Sequence, residues 1–222
     1  MAFTIALSGK GGTGKTTFSA LTIRYLSEQV GGSILAVDAD PNSNLGQLLG
    51  VEPEQTIAEI REDAPKIARD LSPGMSKDRE LEYRIQQAVQ ETPAFDLVTM
   101  GRPEGPKCYC YVNHLLRGFL DKLTGDYRFA VIDNEAGMEH LSRRTTNNVD
   151  LLMIVAEPTI AAVGAAERIL QMSDSLPIIV RKKMFVLTRV PPSGVADAVM
   201  QRVAQLPLEV AAEIPYEVLA PL

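Results

Sequence analysis

Cysteine is almost missing from this chain: its 222 residues hold two, Cys108 and Cys110, with one tyrosine between them. A disulfide framework is thereby excluded, because a bridge between such close neighbours would close almost no loop. Residence in a reducing, cytoplasmic compartment fits. Also lacking is any apolar run approaching the roughly 18 residues of a membrane-spanning helix. No leader is expected, since the strand-like run Phe3-Thr4-Ile5-Ala6-Leu7 starts almost at once. Lysine and arginine form no stripe, and the formal net charge is −6. The densest basic cluster, Arg181-Lys182-Lys183, reads as a solvated turn just ahead of a strand. Nucleic-acid binding rests on neutralising phosphates with such a stripe, so neither nucleic acid nor membrane is expected as a partner. Repeats and low-complexity linkers are absent too. Apolar residues make up 45% of the chain, which suits one α/β domain spanning 1–222 with a buried sheet.

Strand-like apolar runs alternate with helical patterns along the chain. Strands are expected at 3–7, 34–37, 96–99 with Met100, 129–132, 151–156, 184–188 and 208–210. Helices are expected near 16–30, 78–91, 111–123, 139–147, 160–173 and 195–205. The runs are nearly continuous in apolar residues, which predicts a mainly parallel, twisted sheet of about seven strands covered by helices on both faces. Ligand-binding residues then gather at the carboxyl ends of the strands. The segment 51–77, with three prolines and weak periodicity, reads as a partly helical surface excursion.

The most informative segment is Gly9-Lys10-Gly11-Gly12-Thr13-Gly14-Lys15-Thr16-Thr17. It matches G-x-x-x-x-G-K-[ST] in the strand–loop–helix setting that a phosphate-binding loop requires. Glycines let successive backbone N–H groups turn toward one anion, and the following helix aims its positive end at the same point. Gly11, Gly12, Thr13, Gly14 and Thr17 line the nucleotide, Lys15 reaches its β- and γ-phosphates, and the Thr16 hydroxyl holds Mg²⁺. Lys10 cannot easily reach phosphates beyond Lys15 in its own chain. It is either a solvated loop lysine or a cation supplied in trans to a nucleotide on a facing copy.

Two further strand ends carry carboxylates. Asp38 and Asp40 lie at i and i+2 in Asp38-Ala39-Asp40-Pro41-Asn42, so on extended backbone they point the same way. Repulsion makes such a pair costly unless a cation or polarised water lies between them. An Asx-type turn shaped by Pro41 is the plainer reading, and the two are compatible. Val131-Ile132-Asp133 has the form of a Walker B strand, whose aspartate completes the surroundings of Mg²⁺. Asn134-Glu135-Ala136-Gly137 follows, where a γ-phosphate-sensing loop belongs.

The cysteine pair offers two ligands per chain, whereas structural thiolate sites want four. Either the cysteines hold no metal, or a symmetric dimer brings two pairs around one Zn²⁺ or Ni²⁺. His114 is read as a helix residue and not as a further ligand.

With K-G-G-T-G-K-T-T spelled out in full, the loop resembles the deviant Walker A signature of the MinD/ParA/nitrogenase-iron-protein group of dimerising ATPases. Gly101-Arg102-Pro103-Glu104-Gly105, the C-x-C pair and the stretch Glu135-Ala136-Gly137-Met138-Glu139-His140-Leu141-Ser142-Arg143-Arg144 narrow the likeness to the CooC-type accessory ATPases. Those serve nickel insertion into carbon monoxide dehydrogenase.

The resemblance implies an ATPase using ATP, ADP and Mg²⁺, with a homodimer that forms when ATP or metal is bound. It further implies a Ni²⁺ ion, or Zn²⁺ in its place, held by Cys108 and Cys110 across that dimer, and a nickel-enzyme client. Lys10 then acts in trans, Asp38 holds Mg²⁺ through water and Asp40 orients the attacking water. Members of the group place Asn-Arg after the strand at 184–187, where this chain has Thr188-Arg189. Those two residues, with Pro215 opposite, are the expected base pocket, and Thr188 lacks the amide that would read adenine. The family's last helix is expected to be missing or truncated. A sister group serving acetyl-CoA synthase shares nearly all these motifs. A positioning or partition ATPase of the MinD/ParA kind is a further alternative, though residues 208–222 offer no basic amphipathic tail.

Overall fold

The computed structural model describes residues 2–67, 69, 71, 74, 76–102, 123–136, 148–175 and 178–219. Strand β1 (Phe3–Gly9) leads through the glycine loop into helix α1 (Lys15–Tyr25), which a wider π-helical turn at Leu26–Val30 prolongs. Then come β2 (Ile34–Ala39), α2 (Leu45–Leu48), α3 (Ile57–Ile67) and α4 (Lys77–Gln87). Strand β3 (Gln90–Glu91) turns back into β4 (Asp96–Thr99). The remaining described elements are β5 (Phe129–Asn134), β6 (Asn148–Ala156), α5 (Ile160–Ser175), β7 (Ile179–Val190), α6 (Asp197–Val203) and β8 (Glu209–Pro215). The helices expected near 111–123 and 139–147 fall, apart from Leu123, outside the described residues.

All eight strands join one sheet in the order β3-β4-β2-β5-β1-β6-β7-β8. Every neighbouring pair is parallel except β3 and β4. The strand beyond the expected seven is β3, whose two polar residues carry no hydrophobic pattern. Successive residues of the central strands enter different cores. Ala6, Leu35, Val37, Ala130, Ile132, Ile154 and Phe185 pack beneath α3, α4, α5 and α6. Ile5, Leu7, Ile34, Ala36, Val131, Val155 and Val186 pack beneath α1 and α2. Side chains alternate faces along a strand, so a sheet covered twice needs apolar residues at every position. From β1 the chain passes to β2 and β4 on one side and later to β6, β7 and β8 on the other. Connections diverge at the carboxyl end of β1, and open α/β sheets bind ligands in that crevice.

Two expectations change. Residues 57–67 are no surface excursion: Ile57, Ile60, Ala64 and Ile67 lie buried in the core along one face of α3. Thr56 and Glu59 cap that helix reciprocally. The Thr56 N–H donates to Glu59 at 2.7 Å, and the Glu59 N–H donates to Thr56 Oγ1 at 3.3 Å. The basic cluster is likewise no turn, because Arg181, Lys182 and Lys183 lie within β7. They pair with Asp150, Glu209 and Asp174, respectively.

Ile60 is 1% exposed, so Ile60→Ala should destabilise the chain by about 2–5 kcal/mol in chemical denaturation. A loss under about 0.5 kcal/mol, normal for a surface site, would return α3 to the periphery.

Candidate functional site

The glycine loop joins β1 to α1 at the crevice. Gly9 pairs with Val155 of β6, and a Cβ there would lie 2.3 Å from the Val155 carbonyl oxygen. Only glycine permits that approach of backbones. Gly14, the residue before α1, sits at φ 80°, a left-handed conformation that lets the loop turn into the helix. The helix then begins with the Phe18 N–H bonding the Gly14 carbonyl at 2.9 Å. Its first turn contains no acidic residue, which leaves the positive end open to an anion. Among the described residues, an added Cβ at Gly11 or Gly12 would meet nothing within 4 Å. Lys10 is exposed, whereas Thr13 and Lys15 are buried.

Beneath α1 lie two carboxylates. Asp38 and Asp133 are direct partners across β2 and β5, on strands about 4.8 Å apart. Both are fully buried, and strand alternation puts both on the α1 face. Ser19 of α1 donates its hydroxyl to Asp133 Oδ1 at 2.8 Å, while Asp133 Oδ2 has no hydrogen-bond partner among the described residues. Burial pushes the Asp133 carboxyl up; hydrogen bonds from Thr16 and Ser19 and the Lys15 charge pull against it. Asp38 accepts from the Leu45 N–H at 2.9 Å and the Asp40 N–H at 3.2 Å. Even so, burial raises its carboxyl to about 7, helped by the charges of Asp133 and Asp40. A bound cation reverses that preference, and these donors, carboxylates and a hydroxyl, are the hard oxygens that suit Mg²⁺. Among the described residues no three His, Cys, Asp or Glu side chains gather to hold a metal ion alone. A cation here would complete its shell with phosphate and water oxygens.

Asp40 stands at the rim, and its Oδ1 receives both the backbone N–H and the side-chain amide of Asn42 at 2.9 Å each. The expected Asx turn is therefore present. On the base side the outcome is mixed. Arg189, at the unusual φ of 54°, pairs with Glu157 at 2.5 Å, and Pro215 is exposed at the end of β8. Thr188 is placed differently from expectation. It is fully buried, and its hydroxyl bonds the Thr13 carbonyl of the loop at 2.7 Å. The hydroxyl is engaged by the loop. Cys108, Cys110, Gly137 and the Glu139–Arg144 stretch lie outside the described residues.

Three participants are not evident from the motifs. Ser19 is a polar residue on the buried side of α1, one turn after Lys15. Glu157 follows β6 directly. Asn134 donates its amide to the Leu7 carbonyl at 2.9 Å and, among the described residues, keeps a buried Oδ1 without a partner, as Ser8 Oγ does on β1. Polar residues directly at or after an apolar strand mark Asn134 and Glu157, and a serine on the apolar face of α1 marks Ser19.

A parallel sheet whose first strand runs through an open glycine loop into a helix, above paired carboxylates, defines a P-loop ATPase. The chain belongs to the CobQ/CobB/MinD/ParA nucleotide-binding domain family, which it matches over residues 4–221. It is 44% identical over 214 residues to an ATP-binding protein of Methanocaldococcus jannaschii, covering 96% of this chain and 84% of that one. With the carbon monoxide dehydrogenase accessory protein CooC of Rhodospirillum rubrum it shares 33% identity over 186 residues, 78% of this chain and 70% of CooC. Its fold resembles that of a septum site-determining protein MinD complexed with Mg-ADP, from Pyrococcus horikoshii. That likeness has a TM-score of 0.68 at 21% identity and covers 97% of this chain and 82% of MinD. Among the described residues no helix is long and apolar enough to cross a membrane.

The raised Asp38 carboxyl makes stability depend on pH. Its folded value of about 7 lies above the ordinary 3.8, so its favourable contribution is complete below pH 3.8 and is lost as pH rises through about 7. At about 1.4 kcal/mol per unit the loss is of order 4 kcal/mol. Without metal or nucleotide the melting temperature should fall from pH 5 to pH 8, and Asp38→Asn should flatten the fall. Equal slopes in the two proteins would show that Asp38 is not responsible.

Proposed function

We propose that this chain hydrolyses Mg-ATP as a cytoplasmic homodimer and uses the cycle to hold and release a nickel ion for a nickel enzyme, carbon monoxide dehydrogenase foremost. The observation that carries the ATPase is the pair of buried carboxylates under an open phosphate loop. Lys15 and the amides of residues 11–17 bind the phosphates, with Thr16, Asp38 and Asp133 holding Mg²⁺. That ion, when bound, neutralises the charge that phosphoryl transfer shifts among oxygens. Asp40, anchored by Asn42, orients the attacking water. The exposed Lys10 reaches the nucleotide of the facing copy. Pro215 and the backbone around Arg189 flank the base.

The metal role is supported by the 33% identity to CooC and by the C-x-C pair at Cys108 and Cys110. One pair supplies two thiolates, so the Ni²⁺ cargo, or Zn²⁺ competing for the same sulfurs, needs both chains. Acetyl-CoA synthase is the alternative client.

Replacing Cys108 and Cys110 by alanine should abolish nickel binding and leave ATP affinity within about twofold. The unmutated protein with ATP should carry one nickel per two chains. Unchanged nickel stoichiometry in the double mutant removes the metal role and leaves a positioning ATPase as the better reading. Lys10→Ala should bind ATP normally while phosphate release falls at least about a hundredfold, in line with a cation supplied in trans. Normal turnover in that variant would make Lys10 a bystander.

A further inference from the structure

The end of β7 reaches into the phosphate loop by a route that no nucleotide contact explains. Thr188 lies on the face of the sheet that carries α1, fully buried. Its hydroxyl hydrogen is shared between the Thr13 carbonyl oxygen at 2.7 Å and the Ala156 carbonyl oxygen, at the end of β6, at 3.3 Å. Thr13 is itself only 2% exposed, and its hydroxyl bonds the Lys10 carbonyl at 2.8 Å. Two hydroxyls in series therefore tie the ends of β6 and β7 to the middle of the loop, and the middle to its first lysine. One residue on, the Arg189–Glu157 pair clasps the same two strand ends.

The geometry points to Thr188 as a positioning residue for phosphate binding, an inference that rests on the loop being the nucleotide site. Holding the Thr13 carbonyl toward β7 fixes the plane of the peptide that joins Thr13 to Gly14. The described peptide bonds are all trans, so the Gly14 N–H is directed the opposite way, away from β7. Gly14 precedes Lys15 and Thr16 at the mouth of α1, where the helix collects an anion. A loop already fixed in this form spares binding the cost of ordering it. A valine at 188 would fill nearly the same volume, but it leaves the buried Thr13 carbonyl without a donor and the peptide free to turn.

Because the effect runs through the loop, it depends on phosphate and not on base. Calorimetric titration of the full chain with Mg-ATP, Mg-GTP and inorganic tripolyphosphate separates the two. Thr188→Val should weaken all three ligands by a common factor of about ten, the worth of one buried hydrogen bond. Thr188→Ser, which keeps the hydroxyl, should stay within about twofold of the unmutated chain. A loss confined to ATP would make Thr188 a base contact and overturn the inference. So would unchanged affinities in Thr188→Val, or equal losses in the serine and valine variants. If Thr188→Val does not fold, Thr188→Cys, similar in size and a poor donor, undergoes the same titrations with the same criteria. An unmutated chain that binds none of the three ligands refutes the nucleotide site itself, and this inference with it.

Discussion

Two negative charges set side by side under a helix are the constraint around which the rest of this structure is arranged. Asp38 and Asp133 occupy facing positions on β2 and β5, fully buried. Carboxylates out of water are costly in proportion to their isolation, and the fold offers each only partial relief. Asp133 receives Ser19, Thr16 and the field of Lys15; Asp38 receives two backbone N–H groups. Among the described residues, Asp133 Oδ2 finds no hydrogen-bond partner. Hydrophobic packing alone would have no use for such a pair. Burial pushes both carboxyls up, so the charged pair is costly until a cation joins it. Strain of this kind concentrates at functional sites and is offset elsewhere.

The offset comes from the sheet. Because side chains alternate, one set of strand positions feeds the core under α1 and the other feeds the core under α3, α4, α5 and α6. The same parity that sorts Val131 from Ile132 sends Asp133 to the α1 face and Asn134 to the other. The last residues of the strands thus continue the core pattern in register while exchanging apolar side chains for polar ones. Asn134 holds the Leu7 carbonyl, and among the described residues Asn134 Oδ1 and Ser8 Oγ stay unpaired on the opposite face. Buried polar residues such as Ser8, Asp38, Thr99, Asp133, Asn134 and Thr188 gather where the strands end.

How much of this could be read from the residues depended on whether a rule acts locally. The phosphate loop is local, since its glycines, lysine and threonine have fixed spacing and each has one reason to be there. The central strands were legible because a doubly covered sheet demands unbroken apolar runs. Helix α3 was not, because Pro65 and charged residues blurred its period, although Thr56-Ile57-Ala58-Glu59 spells a capping box. The basic stretch at 181–183 looked like a turn because charges seldom continue a strand, yet carboxylates on neighbouring elements neutralise it. The role of Thr188 was out of reach for a different reason: its partner, Thr13, is 175 residues away, and no spacing rule connects them. Ser19 and Glu157 were hidden likewise, their meaning set by what lies across the crevice.

Burial also divides the two lysines of the loop. Lys15 is 5% exposed, and its charge is already engaged in holding down the Asp133 carboxyl. Lysine is rarely buried without a partner, so Lys15 belongs to this chain's own site whether or not phosphate is present. Lys10 is exposed, and its carbonyl accepts the Thr13 hydroxyl. An exposed ammonium on a flexible four-carbon stem can swing toward a new anion, at the cost of shedding part of its hydration. The backbone of residue 10 is fixed while its charge is available, which is the combination a group needs if it is to act beyond its own chain. A lysine tethered by its side chain could not leave, and one on a loose backbone would lose affinity to disorder. The Thr188–Thr13–Lys10 series of hydrogen bonds fixes that backbone, and among the described residues nothing lies within 4 Å of a Cβ added at Gly11 or Gly12.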